Sequence, residues 1–122
     1  LAMEQVADDI YSGAADSIGK PEKVTVKGIC RMLGIKEHQL ENLPKCKAVL
    51  ERYSEPYAEA WARKLVWAYE WMENKEGARV YWKHLRKLTG IKKEHFTEIK
   101  PYLKKYASED TCEHIIQIIR HH

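Results

Sequence analysis

Apolar residues recur at helical spacing along most of this chain. Tyr57, Trp61, Leu65, Ala68 and Met72 follow one another at intervals of four and three, one face of an amphipathic helix over 57–74. Ser54 with Pro56 gives a start signal, and Gly77 a stop. Trp67 and Trp71 stand off that stripe by about 80–120° at roughly 100° per residue. A helix apolar on more than one side is buried on more than one side, so this one reads as a spacer packed between two units. The stretch Met3–Ile18 reads as a comparable leading helix. Thr25 with Val26, and the run 79–82, lean towards strand but are too short to build a sheet, so the fold class is all-α.

The pattern is written twice. Shifted by 56 residues, 24–36 lies on 80–92, with identities at Val24/Val80, Lys27/Lys83, Gly34/Gly90, Ile35/Ile91 and Lys36/Lys92. Ile29/Leu85, Met32/Leu88, Leu40/Phe96 and Leu43/Ile99 keep apolar character, and a slip of one residue brings Pro44 onto Pro101. Each copy predicts a short helix, a glycine turn, a second short helix and a trailing helix opened by proline. These are Val24–Leu33, Gly34, Lys36–Asn42 and Pro44–Tyr53 in the first copy. In the second they are Val80–Leu88, Gly90, Lys92–Glu98 and Pro101–Ser108. A helix, a glycine turn and a second helix form the helix-turn-helix pattern. Glycine suits the turn because the residue after a helix often needs positive φ, and proline suits a first helical turn, where its missing amide costs nothing. The expected organisation is two tandem helical units, 1–54 and 55–108. A closing helix over 109–122 falls where a third leading helix would begin, as expected of a segment cut from a longer protein.

Composition narrows the class. Of 122 residues 44% are hydrophobic and 32% charged, enough for a core and too apolar for disorder. Only ten residues are Gly or Pro, few for a turn-rich sandwich or barrel. No apolar run approaches the length of a membrane span, and the acidic start is unlike a leader. Three cysteines, Cys30, Cys46 and Cys112, fit neither a disulfide framework nor a paired metal site, which suggests a reducing, cytoplasmic setting.

Charge is concentrated more than it is large. The formal net charge is +3, yet 1–22 carry one Lys against five acids, whereas 77–105 carry nine Lys and Arg against two acids. The bases fall in register with the repeat. Lys27 and Arg31 match Lys83 and Lys87, with Arg86 added; Lys36 matches Lys92, with Lys93 added; Lys45 and Lys47 follow in the first copy and Lys100, Lys104 and Lys105 in the second. In a helix-turn-helix reader the second short helix enters the major groove while flanking amines hold phosphates. Lys27, Arg31, Lys83, Arg86 and Lys87 are therefore candidate phosphate ligands. Lys36, His38, Gln39, Lys92, Lys93 and His95 are candidates at or near base edges, and Thr97, on the same short helix as His95, can hydrogen-bond them too. The expected partner is double-stranded DNA, in a nucleoid-associated protein that is not an enzyme.

The alternative is a helical adaptor whose tryptophan-rich spacer docks another protein. Stacking of bases on tryptophan is weighed too: Trp61 belongs to the core stripe, and Trp82, between Arg79 and Lys83, is the one least expected to be buried. Phosphate-loop, dinucleotide, nucleophile-elbow and metal-ligand spacings are missing from the sequence, so no cofactor, metal or catalytic residue is expected.

The stretch 58–71, with Gly77 and then 82–91, resembles the repeated C-terminal region of TnsD proteins, the TniQ-related target selectors of a class of bacterial transposons. Arg63, Trp67, Ala68, Gly77, Trp82, Arg86, Gly90 and Ile91 occupy the positions of that repeat. The first copy, with Tyr11 and Val26 in place of its two tryptophans, is a degenerate one. The resemblance covers roughly 24–105. It implies sequence-specific binding to a chromosomal attachment site, recruitment of other transposition proteins, and no catalysis in this segment.

Overall fold

The computed structural model describes residues 2–41, 43–76 and 79–121 and is all-α, with no strand among the described residues. In chain order the helices are α1 (Ala2–Ser12), α2 (Val26–Leu33), α3 (Glu37–Glu41), α4 (Pro44–Arg52), α5 (Tyr57–Glu76), α6 (Trp82–Thr89), α7 (Phe96–Tyr106) and α8 (Glu109–Arg120), and a 3-10 turn, Lys93–His95, leads into α7. The chain divides into two compact units, Leu1–Glu55 and Pro56–His122. Asn42, Gly77 and His122 lie outside the described residues.

In the first unit α1 packs against α2 and α4. Ile29, Leu40 and Val49 are fully buried, with Ala7, Ile10 and Val24 around them. At about 25 cal/mol per Å² of apolar surface, each of the three large side chains contributes roughly 1.5–3 kcal/mol relative to exposure. Helix α1 ends at Ser12, short of the expected Ile18. Gly13 takes φ +94°, and the Asp16 carboxylate accepts the amides of Ile18 (3.0 Å) and Lys20 (3.1 Å), closing a loop in place of further helix. Thr25 caps α2 by accepting the Gly28 amide at 3.0 Å. Pro44 opens α4 as expected, and Leu43 before it is extended, at φ −95° and ψ 119°.

The second unit is built around α5, whose Leu65, Ala68 and Met72 join Leu85, Ile99, Leu103, Ile115 and Ile119 in one core. Tyr57, expected on the buried stripe, is exposed, because the buried face of α5 begins at Glu59 and Ala60. Helix α8, expected as a separate segment over 109–122, supplies Cys112, Ile115 and Ile119 to this core. The trailing helix expected to start at Pro101 does not exist as such: α7 runs unbroken from Phe96 and holds Pro101 inside it. Phe96, Ile99, Leu103 and Tyr106 recur at three and four, so one continuous helix buries all of them to some degree. Leu40, Cys46 and Val49 in the first unit are spaced six and three, which no single straight face accommodates. Pro101 is tolerated because it sits on the exposed side of α7.

A partly buried polar cluster ties α5 to α7. The Glu59 carboxylate accepts hydrogen bonds from Lys105 Nζ at 2.7 Å and from the Tyr106 hydroxyl. These two donors hold its carboxyl below the usual range, against the upward push of burial.

Candidate nucleic-acid interface

Helix α6 separates its residues cleanly. Trp82, Leu85 and Thr89 are buried in the second unit's core, while Lys83, Arg86 and Lys87, three and four apart, are exposed on the opposite side. Gly90 then reverses the chain in the left-handed region at φ 72°, its amide returning to the Arg86 carbonyl at 2.8 Å. The buried Thr89 hydroxyl staples the turn, donating to the Leu85 carbonyl (2.8 Å) and accepting the Ile91 amide (3.2 Å). Gly34 makes the same left-handed cap at φ 70°, but Leu33 has no hydroxyl to offer, and the Ile35 amide returns to the Cys30 carbonyl at 3.1 Å instead.

The consequence in the second unit is a meeting of cations. Arg86, from α6, lines one shallow concavity of about 420 Å³ with Lys92 and Lys93 from beyond the turn, beside Trp82 and Glu94. Next to it, Trp82, Lys83, Arg86 and Lys87 line another of about 370 Å³. Trp82 borders both. It is 3% exposed and is the most buried of the four tryptophans, which corrects the expectation drawn from its charged neighbours. Trp61, Trp67 and Trp71 are only partly buried against the core.

In the first unit Lys27 and Arg31 share the exposed face of α2, and Lys36, His38, Gln39 and Lys45 are all exposed. Two of the residues expected at base edges are engaged locally. The Gln39 side-chain oxygen accepts the Lys36 amide at 2.9 Å, capping α3. His95, at the matching place in the second unit, is half-buried and stacks on Trp61, with ring centroids 4.8 Å apart at 24°.

Lys100 is exposed on α7 and lines a different groove, of about 530 Å³, with Lys104 of α7 and Glu109, Glu113 and Arg120 of α8. Lys104 is one of the bases that follow the second motif in sequence, whereas Arg120 has no signal there. Only the packing of α8 onto α7 brings Arg120 near them, and the linear pattern had set α8 apart.

The two units differ in charge. Residues 1–55 carry eight Lys and Arg against nine Asp and Glu, net −1; residues 56–122 carry thirteen against nine, net +4. The positive field that would draw a polyanion belongs to the second unit.

Other chemistry finds little footing. Among the described residues no group of three or more His, Cys, Asp or Glu is placed to hold a metal ion, and no helix is long and apolar enough to cross a membrane. Cys30, Cys46 and Cys112 are all buried, and burial pushes the Cys112 thiol up despite the nearby Lys104 charge. A cleft of about 470 Å³ lies between the start of α6 and the end of α8, lined by Arg79, Tyr81, Lys83, Gln117, Ile118 and His121. Comparison with protein-family models, curated proteins and solved structures gave no match for this chain.

Proposed function

We propose that this chain binds double-stranded DNA and does no chemistry of its own. The observation that carries the reading is the convergence of Arg86 with Lys92 and Lys93 across the Gly90 turn. Three cations from two elements, fixed by a stapled turn, make a phosphate-holding surface of the kind that positions a helix against a duplex. Exposed Lys83 and Lys87 extend it along α6, and Lys27, Arg31 and Lys36 offer a smaller counterpart in the first unit. The resemblance to TnsD repeats extends the proposal to a chromosomal target site as the DNA and to other transposition proteins as partners.

The test is fluorescence anisotropy with labelled duplexes at several salt concentrations. Binding should weaken steeply with salt, and Lys92→Ala with Lys93→Ala should lose affinity while helicity by circular dichroism stays unchanged. Absence of salt-dependent binding at micromolar protein ends the proposal. A second reading, a protein-docking adaptor, draws on the half-buried pair Trp67 and Trp71, 6.0 Å apart, with Lys75 over the Trp71 ring at 4.4 Å. It expects tryptophan emission to shift with a protein partner and not with DNA.

A further inference from the structure

Helix α7 shows one face and hides the other. Ile99 and Leu103 are fully buried, whereas Thr97, Lys100, Pro101 and Lys104 are exposed. At about 100° per residue those four positions fall within roughly 100° of one another, opposite the buried pair. The stripe has cationic groups at both ends. At its start Arg86, Lys92 and Lys93 share one concavity; at its far end Lys100 and Lys104 form one rim of the groove shared with α8. From Lys93 to Lys104, the 3-10 turn and the helix together span about 18 Å, roughly five base-pair steps of a duplex. Thr97 stands between the two ends.

We infer that α7 is the helix that lies in a duplex groove, with its two cationic ends on phosphates and Thr97 against a base edge. The inference rests on the duplex reading above and names the element and the residue that would give it specificity. A threonine hydroxyl both donates and accepts, and its methyl can meet the thymine methyl, so one exposed Thr suffices to favour one base pair over another. Pro101 offers no amide to the Thr97 carbonyl, so the same short stretch also presents a main-chain acceptor that an ordinary helical residue would occupy. Glu109 and Glu113, on the α8 side of the far groove, repel a phosphate from its interior. That contact therefore belongs to the α7 rim, where Lys100 and Lys104 stand. The first unit has no equivalent: α3 is five residues long, and the chain turns extended at Leu43 before α4 begins. The second unit both holds and reads the duplex, and the first adds a smaller phosphate contact.

The experiment uses the full chain and a duplex selected by it from a random pool. Thr97→Val keeps the side chain's shape and removes its hydroxyl. It should lower affinity for the selected duplex roughly tenfold at one base pair, leave the salt slope unchanged, and alter the preferred base at that pair on reselection. Thr97→Ala, which also removes the methyl, should lose at least as much, which separates loss of the hydroxyl from any packing effect of valine. Lys100→Ala with Lys104→Ala should lower the slope of log affinity against log salt by about two. Lys75→Ala, which removes a charge from the same unit near the end of α5, outside both cationic concavities, should leave slope and preference as they were. Substituting Lys27, Arg31 and Lys36 together should cost less affinity than substituting Arg86, Lys92 and Lys93. Duplex binding that survives all the α7 substitutions with slope and preference intact overturns the assignment of α7 while leaving duplex binding standing. Equal affinity for single strands of the same sequence also overturns it, because a groove-reading helix needs a groove. No binding by the unaltered chain sinks the duplex reading itself.

Discussion

The hydroxyl of Thr89 accepts the Ile91 amide at 3.2 Å across the intervening glycine, and both groups are buried. It also donates to the Leu85 carbonyl at 2.8 Å, so a single side chain ties the end of α6 to the strand of chain that carries Lys92 and Lys93. Thr89→Val preserves the shape, removes both bonds and strands a buried amide. The expected cost is about 1–3 kcal/mol, read as a lower urea midpoint at unchanged m-value. Thr89→Ser, which keeps the hydroxyl, should lose clearly less. If valine is tolerated as well as serine, the staple does not hold the turn.

Three glycines with positive φ should respond differently to alanine. Gly34 and Gly90 have open space where a Cβ would stand, so Gly34→Ala and Gly90→Ala pay only for the left-handed backbone, about 1–2 kcal/mol each. At Gly13, φ +94°, a Cβ would lie 2.1 Å from the Gly19 carbonyl oxygen, and the loop after α1 would have to move. Gly13→Ala should therefore destabilise by more than either of the others in the same denaturation series. Equal losses at all three positions would show that the approach of Gly13 to Gly19 is not a feature of the folded chain.

Two titrations in the second unit run in opposite directions. Hydrogen bonds from Lys105 and Tyr106 hold the Glu59 carboxyl below its ordinary 4.5, so the stability it contributes is present above that value and is lost as pH falls through the depressed one. Burial, then the hydrogen bond and charge of Glu73, pushes the Tyr69 phenol from 10.0 up to about 12. Its contribution is complete below about 10 and is lost as pH rises towards 12. Urea midpoints measured across pH should fall at both ends. Glu59→Gln should flatten the acid side alone, and Tyr69→Phe the alkaline side alone. Near-ultraviolet absorbance should show late-titrating phenol that is reduced, though not abolished, by Tyr69→Phe, since burial and Asp8 push the Tyr53 phenol up as well.

Much of this architecture is legible in the linear pattern, because it follows from local spacing. The all-α class came from apolar intervals of three and four, the left-handed caps from Gly34 and Gly90, and the start of α4 from Pro44. The failures are places where packing overrules a local signal. Pro101 looked like a helix start by analogy with Pro44, yet Ile99 and Leu103 are buried on one face and carry α7 through it. Trp82 looked exposed beside Arg79 and Lys83, yet the first turn of α6 points it into the core. Gln39 and His95 had the chemistry of base readers, but one caps α3 and the other stacks on Trp61. The cationic positions on α6 were readable as exposed from periodicity alone. Arg86 and Lys93 meet across a single turn that the sequence already marks at Gly90, whereas the approach of Lys104 to Arg120 needed the packing of α8 on α7.

The magnitude of the salt effect is a sharper test than binding itself. Each phosphate neutralised on B-form DNA contributes about 0.9 to the slope of log affinity against log salt. If Arg86, Lys92, Lys93 and one of Lys83 or Lys87 each hold a phosphate, these four contribute about −4 to the slope, and a doubling of salt costs roughly tenfold in affinity through them alone; Lys100 and Lys104 on the α7 rim steepen it to about −5. Arg86→Lys keeps the charge and should keep most of the slope, while losing the planar fork that grips two phosphate oxygens at once, so affinity falls at every salt concentration by a similar factor. Arg86→Ala should lower affinity and slope together. A slope near −1 in the unaltered chain would mean that the cations around Trp82 are a solvated surface, and the phosphate-holding role given to them would be wrong.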